Sequence, residues 1–178
     1  MLNYLTRAEL TRYNLKPYNL AFDRAIARRY SSFSSIVTVF LSHSHKDAGF
    51  VENAAAFLKS HGAVVYVDWL DREMPAITSP ETAKKLKEKI SEHRKFILLA
   101  TDNSKESSWI PWELGIADTK KGLLNIAILP IAESSSVFKG TEFVGIYPVV
   151  QKSFATGEWV VWCHELSTST ELSSWLSM

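Results

Sequence analysis

The chain is poor in the residues that staple or loosen a fold. It holds one cysteine, Cys163, in 178 residues. That excludes an intramolecular disulfide and a Cys-rich zinc module, and it fits a reducing compartment. Seven glycines are few for a loop-built metal site, and no internal repeat or low-complexity tract occurs. An excess of either charge is missing as well: 20 basic residues stand against 19 acidic ones, for a net charge of +1. There is thus no electrostatic footprint for nucleic acid or an anionic membrane. No run approaches the ~18 apolar residues of a spanning helix. The opening "MLNYLTRAELTRYN" has neither the apolar stretch nor the small-residue site of a secretory leader. A cytoplasmic protein that binds neither nucleic acid nor membrane is expected. What is abundant is apolar: 46% of residues are hydrophobic and six are tryptophan, enough for one globular body with a proper core.

Two rhythms divide the chain. Residues 1–35 are arginine-rich, end in a serine-rich link, and read as two short amphipathic helices broken near Pro17, a helical extension. From Ile36 to residue 178 the pattern changes, and strand-length apolar runs "IVTVFL", "AVVYVDW", "KFILLAT" and "NIAILPI" recur with helical segments between them. Rich in β-branched residues and weak in alternation, they read as strands covered on both faces. The helices have legible ends. One starts at about Asp47 and stops at Gly62. A second is capped by Ser79 with Pro80 in the first position. A third is capped by Ser108, tolerates Pro111 in its first turn and ends at Lys120, Lys121 and Gly122. Alternating strands and helices imply parallel strands with right-handed crossovers, an α/β doubly wound sheet. From about residue 132 the pattern weakens. "VGIYPVV" and "EWVVW" read as edge strands, because Pro148 argues against a central place, and "ELSTSTELSSWL" reads as a last helix.

In an open sheet of this kind ligands sit beyond the carboxyl ends of the strands. That selects four loops: 42–47, 68–78, 101–112 and 132–140. The first contains His43, His45 and Asp47, which partly match the H-x-H-x-D-H zinc pattern of metallo-β-lactamase-like hydrolases. Position 48 is Ala48, and His61 and His93 fall at the opposite ends of their helices, so no metal is expected. The third loop leads into a helix with Trp109, Trp112 and Glu113 in its first turns. A glutamate there is favoured by the helix dipole by ~0.3–1 kcal/mol even without a function.

Taken together, "VFLSHSHKD", "VVYVDWLDREMP" and "SSWIPWELG" resemble the three strand-end motifs of the TIR (Toll/interleukin-1 receptor) domain, over residues 36 to about 131. The resemblance is greatest to bacterial TIR proteins of anti-phage defence. It implies a flavodoxin-like, mainly parallel sheet. Such domains are of two kinds: self-associating adaptors, and enzymes that cleave NAD+ at the nicotinamide–ribose bond to give nicotinamide with ADP-ribose or a cyclised isomer. The catalytic kind needs the glutamate of the third motif, which maps to Glu113.

The resemblance therefore implies Glu113 as the catalytic carboxylate, beside the oxocarbenium-like ribose that forms as nicotinamide leaves. It also implies Ser42, His43, Ser44, Asp68, Trp69 and Trp109 as substrate-binding residues. His45 reads as solvent-exposed, Asp47 as a helix cap, Trp112 as packing, and Asp71, Arg72 and Glu73 as a solvated loop. NAD+ would be substrate rather than cofactor. Self-association through TIR surfaces, and a separate effector reached through a nucleotide product, would follow. Two other readings stay open on the residues alone: a non-catalytic TIR module working by homotypic binding, and a nucleoside hydrolase-like or deoxyribosyltransferase-like enzyme, which also sets a glutamate at a ribose.

Overall fold

A computed structural model describes residues 3–13, 37–68, 71, 78–133, 138 and 142–178. In chain order these form β1 (Leu5–Thr6), α1 (Arg7–Leu10), β2 (Thr38–Ser42), α2 (Ala48–Ser60), β3 (Val64–Tyr66), α3 (Pro80–Glu92) and β4 (Lys95–Ala100). Then come α4 (Trp109–Lys121), β5 (Ile126–Ala132), β6 (Val149–Lys152), β7 (Trp159–Cys163), β8 (Thr168–Glu171) and α5 (Leu172–Ser177). The sheet runs β3-β2-β4-β5-β6-β7-β8. Its first five strands are parallel, and β7 and β8 are antiparallel to their neighbours. This is the expected doubly wound, mainly parallel α/β sheet. The chain leaves β2 for β3 on one side and returns to β4 on the other, so the strand order reverses between β2 and β4.

Strand alternation sorts the side chains into two cores. Val39 and Leu41 of β2 and Ile97 and Leu99 of β4 join a cluster with α2, whose Val51, Ala54, Phe57 and Leu58 are fully buried, and with Trp175 and Leu176 of α5. Phe40, Phe96, Leu98 and Ala100 point to the opposite face, against Leu86 and Ile90 of α3 and Ile110, Leu114 and Ala117 of α4. Ser42 keeps the phase of Phe40. Its hydroxyl therefore emerges on the α4 side.

The helix ends follow their local chemistry, with two corrections. Ser79 caps α3 reciprocally with Thr82, and Pro80 occupies the first helical turn. Gly62 and Gly122 end α2 and α4 at φ +95° and +72°, which a side chain would strain. Asp47, however, makes no side-chain cap bond to α2. Ser108 likewise does not cap α4; Ser107 Oγ accepts the amide of Ile110 at 3.4 Å instead.

The C-terminal third departs further from expectation. β6 and β7 are interior strands and β8 is the edge. Pro148 stands one residue before β6, where its missing N–H is not needed, and its carbonyl accepts from Ile128 at 2.8 Å. The segment read as one last helix is β8 followed by the six-residue α5.

At the other terminus, residues 3–13 contribute a strand where a helix was expected. Leu5 and Thr6 pair in parallel with Ile131 and Ala132 of β5, while the Asn3 carbonyl accepts the Lys152 amide of β6 at 2.8 Å. The segment is wedged between the upper ends of these two strands. α1 is a single turn with a Thr6–Glu9 capping box, and Glu9 also pairs with Lys152 at 2.8 Å. The second expected helix, after Pro17, lies outside the described residues. Leu5 and Leu10 are fully buried, so the wedge belongs to the core. Leu5→Ala should lower the unfolding free energy by about 3 kcal/mol in urea denaturation. An effect under about 0.5 kcal/mol would mean that the segment detaches freely.

Candidate functional site

The polar residues of the chain's upper rim converge at the reversal between β2 and β4. In α4 the buried side chains are Ile110, Glu113, Leu114 and Ala117, the i, i+3, i+4, i+7 stripe of a core-facing helix. Glu113 thus occupies a slot that helical periodicity assigns to an apolar residue, and only 5% of it is exposed. Across from it Ser42, at the end of β2, donates its hydroxyl to Glu113 Oε2 at 2.6 Å. Seventy-one residues of chain separate the two.

Burial raises the Glu113 carboxyl from its ordinary 4.5 to about 8; the Ser42 hydroxyl opposes the shift and the charge of Asp68 adds to it. His43 follows Ser42 and is also buried. The Leu41 carbonyl accepts from its Nδ1 at 3.2 Å, and its Nε2 lies 3.8 Å from Asp68 Oδ1. Burial lowers the His43 pKa, against the pull of Asp68. A carboxyl that favours its proton, bonded to Ser42, and an imidazole that sheds its own, on the next residue, thus occur at the end of β2. Both are displaced chiefly by desolvation.

Of the other expected site residues, Ser44 is buried and accepts the Lys46 amide at 3.4 Å, starting the short turn 45–47. Trp109, one helical turn before Glu113, is half-buried and meets the edge of Trp112 with ring centroids 5.2 Å apart. Lys87 sits over the Trp112 ring at 5.6 Å, in keeping with a packing role. Trp69, Arg72 and Glu73 lie outside the described residues. Asp71 does not belong to a solvated loop: it is 6% exposed and accepts the Tyr66 hydroxyl at 2.9 Å. His45 is exposed.

Asp47 does not serve as a side-chain helix cap. It is fully buried and accepts from Thr101 Oγ1 at 2.7 Å and Asn103 Nδ2 at 2.6 Å, in the loop between β4 and α4. Single-sequence reading missed this role because its partners lie more than fifty residues away. The hint available was an aspartate in a turn whose capping work Ser44 already does. Among the described residues no three metal-ligating side chains converge.

The Glu113 shift makes the carboxyl a measurable liability. Below about pH 4.5 the group is protonated whether the chain is folded or not. Between there and about 8 the unfolded chain releases a proton that the folded chain retains, so stability falls by up to about 1.4 kcal/mol per pH unit. Glu113→Gln keeps an acceptor for Ser42 and cannot ionise. Its stability relative to wild type should rise by about 2–3 kcal/mol between pH 5 and pH 7 in chemical denaturation. A constant difference would mean that Glu113 ionises in the ordinary range.

Three comparisons bear on this geometry. The family description "TIR domain" matches residues 39–147, a span that includes Ser42, Asp68 and Glu113. A protein of Bacillus cereus (strain MSX-D12) named "Probable 3' cyclic ADP-D-ribose synthase ThsB'" is 34% identical over 140 residues, 75% of this chain and 72% of that one. A protein of Cytobacillus dafuensis named "Putative cyclic ADP-D-ribose synthase TIR2" is 32% identical over 85 residues, 44% of this chain and 22% of that longer one. With a TIR match across more than half its length, the chain belongs to the TIR domain family.

Proposed function

We propose that this protein is an NAD+ glycohydrolase and cyclase. It cleaves the bond between nicotinamide and ribose and passes the ribosyl carbon to a hydroxyl of the same molecule or to water. The products are nicotinamide, a cyclic ADP-ribose isomer or ADP-ribose, and one proton. The observation that carries this reading is the buried Glu113–Ser42 pair at the strand-order reversal. Its support is the kinship with proteins named cyclic ADP-D-ribose synthases. A homotypic adaptor has no use for a desolvated carboxyl in an apolar stripe.

The chemistry suits the site. Nicotinamide in NAD+ is already cationic and leaves as a neutral molecule, so no general acid is required. What the reaction needs is an anion beside the ribose as positive charge develops on it. Glu113 is the residue for this role. Its raised pKa fits a substrate-triggered anion: a cationic nicotinamide riboside placed beside the carboxyl favours the charged form and drives the proton off. Ser42 holds the carboxyl in place. Trp109 on the same helical face would wall the nicotinamide end. His43, Ser44, Asp68 and Trp69 would line the ribose and phosphate end. NAD+ acts as substrate, with no resident cofactor or metal in the scheme. We place the protein in the cytoplasm, self-associating through TIR surfaces and sending its nucleotide product to a separate effector in anti-phage defence. No described helix is long and apolar enough to cross a membrane.

The test is NAD+ consumption by concentrated purified protein, with products resolved by mass spectrometry, beside Glu113→Ala. Wild type should release nicotinamide, and the variant should lose turnover by about 10³-fold or more. Equal consumption by both proteins, or by neither, would sink the assignment. For the active protein kcat/KM should climb with pH and level off above about 8, because free enzyme must lose the Glu113 proton. The inflection in kcat should lie at lower pH, because bound cationic substrate stabilises the carboxylate.

A further inference from the structure

Two loops flank the site: 43–47, after β2, and 101–108, between β4 and α4. The Ser42–Glu113 hydrogen bond needs them in fixed relation, because Ser42 borders the first and Glu113 rides on the helix that the second feeds. Packing of Ile110, Leu114 and Ala117 holds α4 against the sheet. The height of its first turns along that face is set by the loop that enters it together with contacts from α3, such as Lys87 over Trp112.

That loop is pinned chiefly by one side chain. Asp47, with no exposed surface, spends both carboxylate oxygens on it, Oδ2 on Thr101 Oγ1 and Oδ1 on Asn103 Nδ2. The bonds continue inward. Thr101 N donates to Ser104 Oγ at 3.0 Å, and that hydroxyl donates to the Leu99 carbonyl of β4 at 3.2 Å. On its own side Asp47 is fixed by its amide, which donates to the Ser44 carbonyl at 2.8 Å. An exposed Lys46–Glu106 ion pair closes the same seam outside. A carboxylate buried this completely is tolerated only because its oxygens are satisfied. The two loops therefore separate only at the cost of leaving a charge unpaired in the interior.

We propose that Asp47 is a positioning residue: by clamping the loop before α4 to the loop after β2, it sets the register in which Glu113 meets Ser42 and the substrate. It touches no reacting atom. With the clamp gone, the start of α4 drifts, the Ser42–Glu113 contact loosens and water reaches the carboxyl. Asp68, whose charge acts on Glu113, follows β3 and lies outside the seam, so a change in Glu113 ionisation would report its own displacement.

The experiment compares Asp47→Ala, Asp47→Asn and Phe57→Leu, the last a destabilising change in the core of α2 away from the seam. Two readouts are taken: NAD+ turnover, and the titration of the Glu113 carboxyl by carbon-13 NMR, assigned with Glu113→Gln. The kinetic arm rests on the NAD+ reading and the titration arm does not. Asp47→Ala should lower kcat by about 10- to 100-fold with KM within about twofold, and Glu113 should titrate at lower pH than in wild type. Asp47→Asn should recover most of both, since its amide keeps two bonds once Asn103 turns over. Phe57→Leu should lose thermal stability and move neither readout. If Asp47→Ala fails to fold, Thr101→Val and Asn103→Ala each remove one of the two bonds to Asp47 from the other loop, Thr101→Val also freeing the Asn103 amide, and each should shift the titration part of the way. An unmoved titration in the folded seam variants, or an equal shift in Phe57→Leu, would overturn the proposal. Should wild type consume no NAD+, the functional reading falls and the titration still decides the clamp.

Discussion

The site depends on keeping one carboxyl out of water. Glu113 fills a position in the buried stripe of α4 that an alanine or leucine would fill more cheaply, and its proton affinity records the cost. Ser42 offsets part of it with a short hydrogen bond. For that bond to form, three conditions must hold together. β2 must end in the phase that turns Ser42 toward α4. β4 must lie directly beside β2. The loop after β4 must bring α4 in at the correct height.

Each condition has a separate physical cause. The phase comes from the period of two in a strand, which also sends Phe40 to the same face and Val39 and Leu41 to the other. Adjacency comes from the crossover that takes the chain from β3 past β2 to β4, leaving an opening at the strand ends where their order reverses. Height comes from the Asp47 seam. The opposite end of the strands is built differently, for anchorage. There Lys95, 2% exposed, donates to Asn125 at 2.8 Å and lies 4.4 Å over the Trp175 ring. The Trp175 indole in turn donates to the Leu124 carbonyl at 2.9 Å. Burial of Lys95 lowers its pKa to about 8, so both ends of the sheet hold titratable groups displaced by desolvation. Only the upper end gathers them where strand order opens a cleft.

Much of this was legible in the linear chain. β2, β4 and β5 appear as apolar runs with few alternations, and α3 announces itself through Ser79 and Pro80. The C-terminal third was harder to read. Pro148 looks like an edge signal, yet it lies one residue outside β6, where a missing N–H costs nothing. β8 is a polar edge strand, "TSTE", without the apolar pattern that marks a strand. β1 is two residues long and is defined by its pairing with the far end of β5, which no local pattern announces. Asp71 read as surface because nothing local shows that the Tyr66 hydroxyl reaches it.

The sequence by itself determined the alternation of strands and helices from β2 to β5, the rim loops, and the presence of a glutamate, a serine and tryptophans at those loops. Local rules of period, capping and turn chemistry act within a few residues and can be read there. Tertiary structure alone decided that Ser42 and Glu113 share a hydrogen bond, that Asp47 braces two loops instead of capping a helix, and that residues 3–13 enter the sheet. Those facts join positions some fifty to a hundred and fifty residues apart. Burial, which raises the Glu113 pKa and lowers that of His43, belongs to the packed whole and to no single stretch of chain.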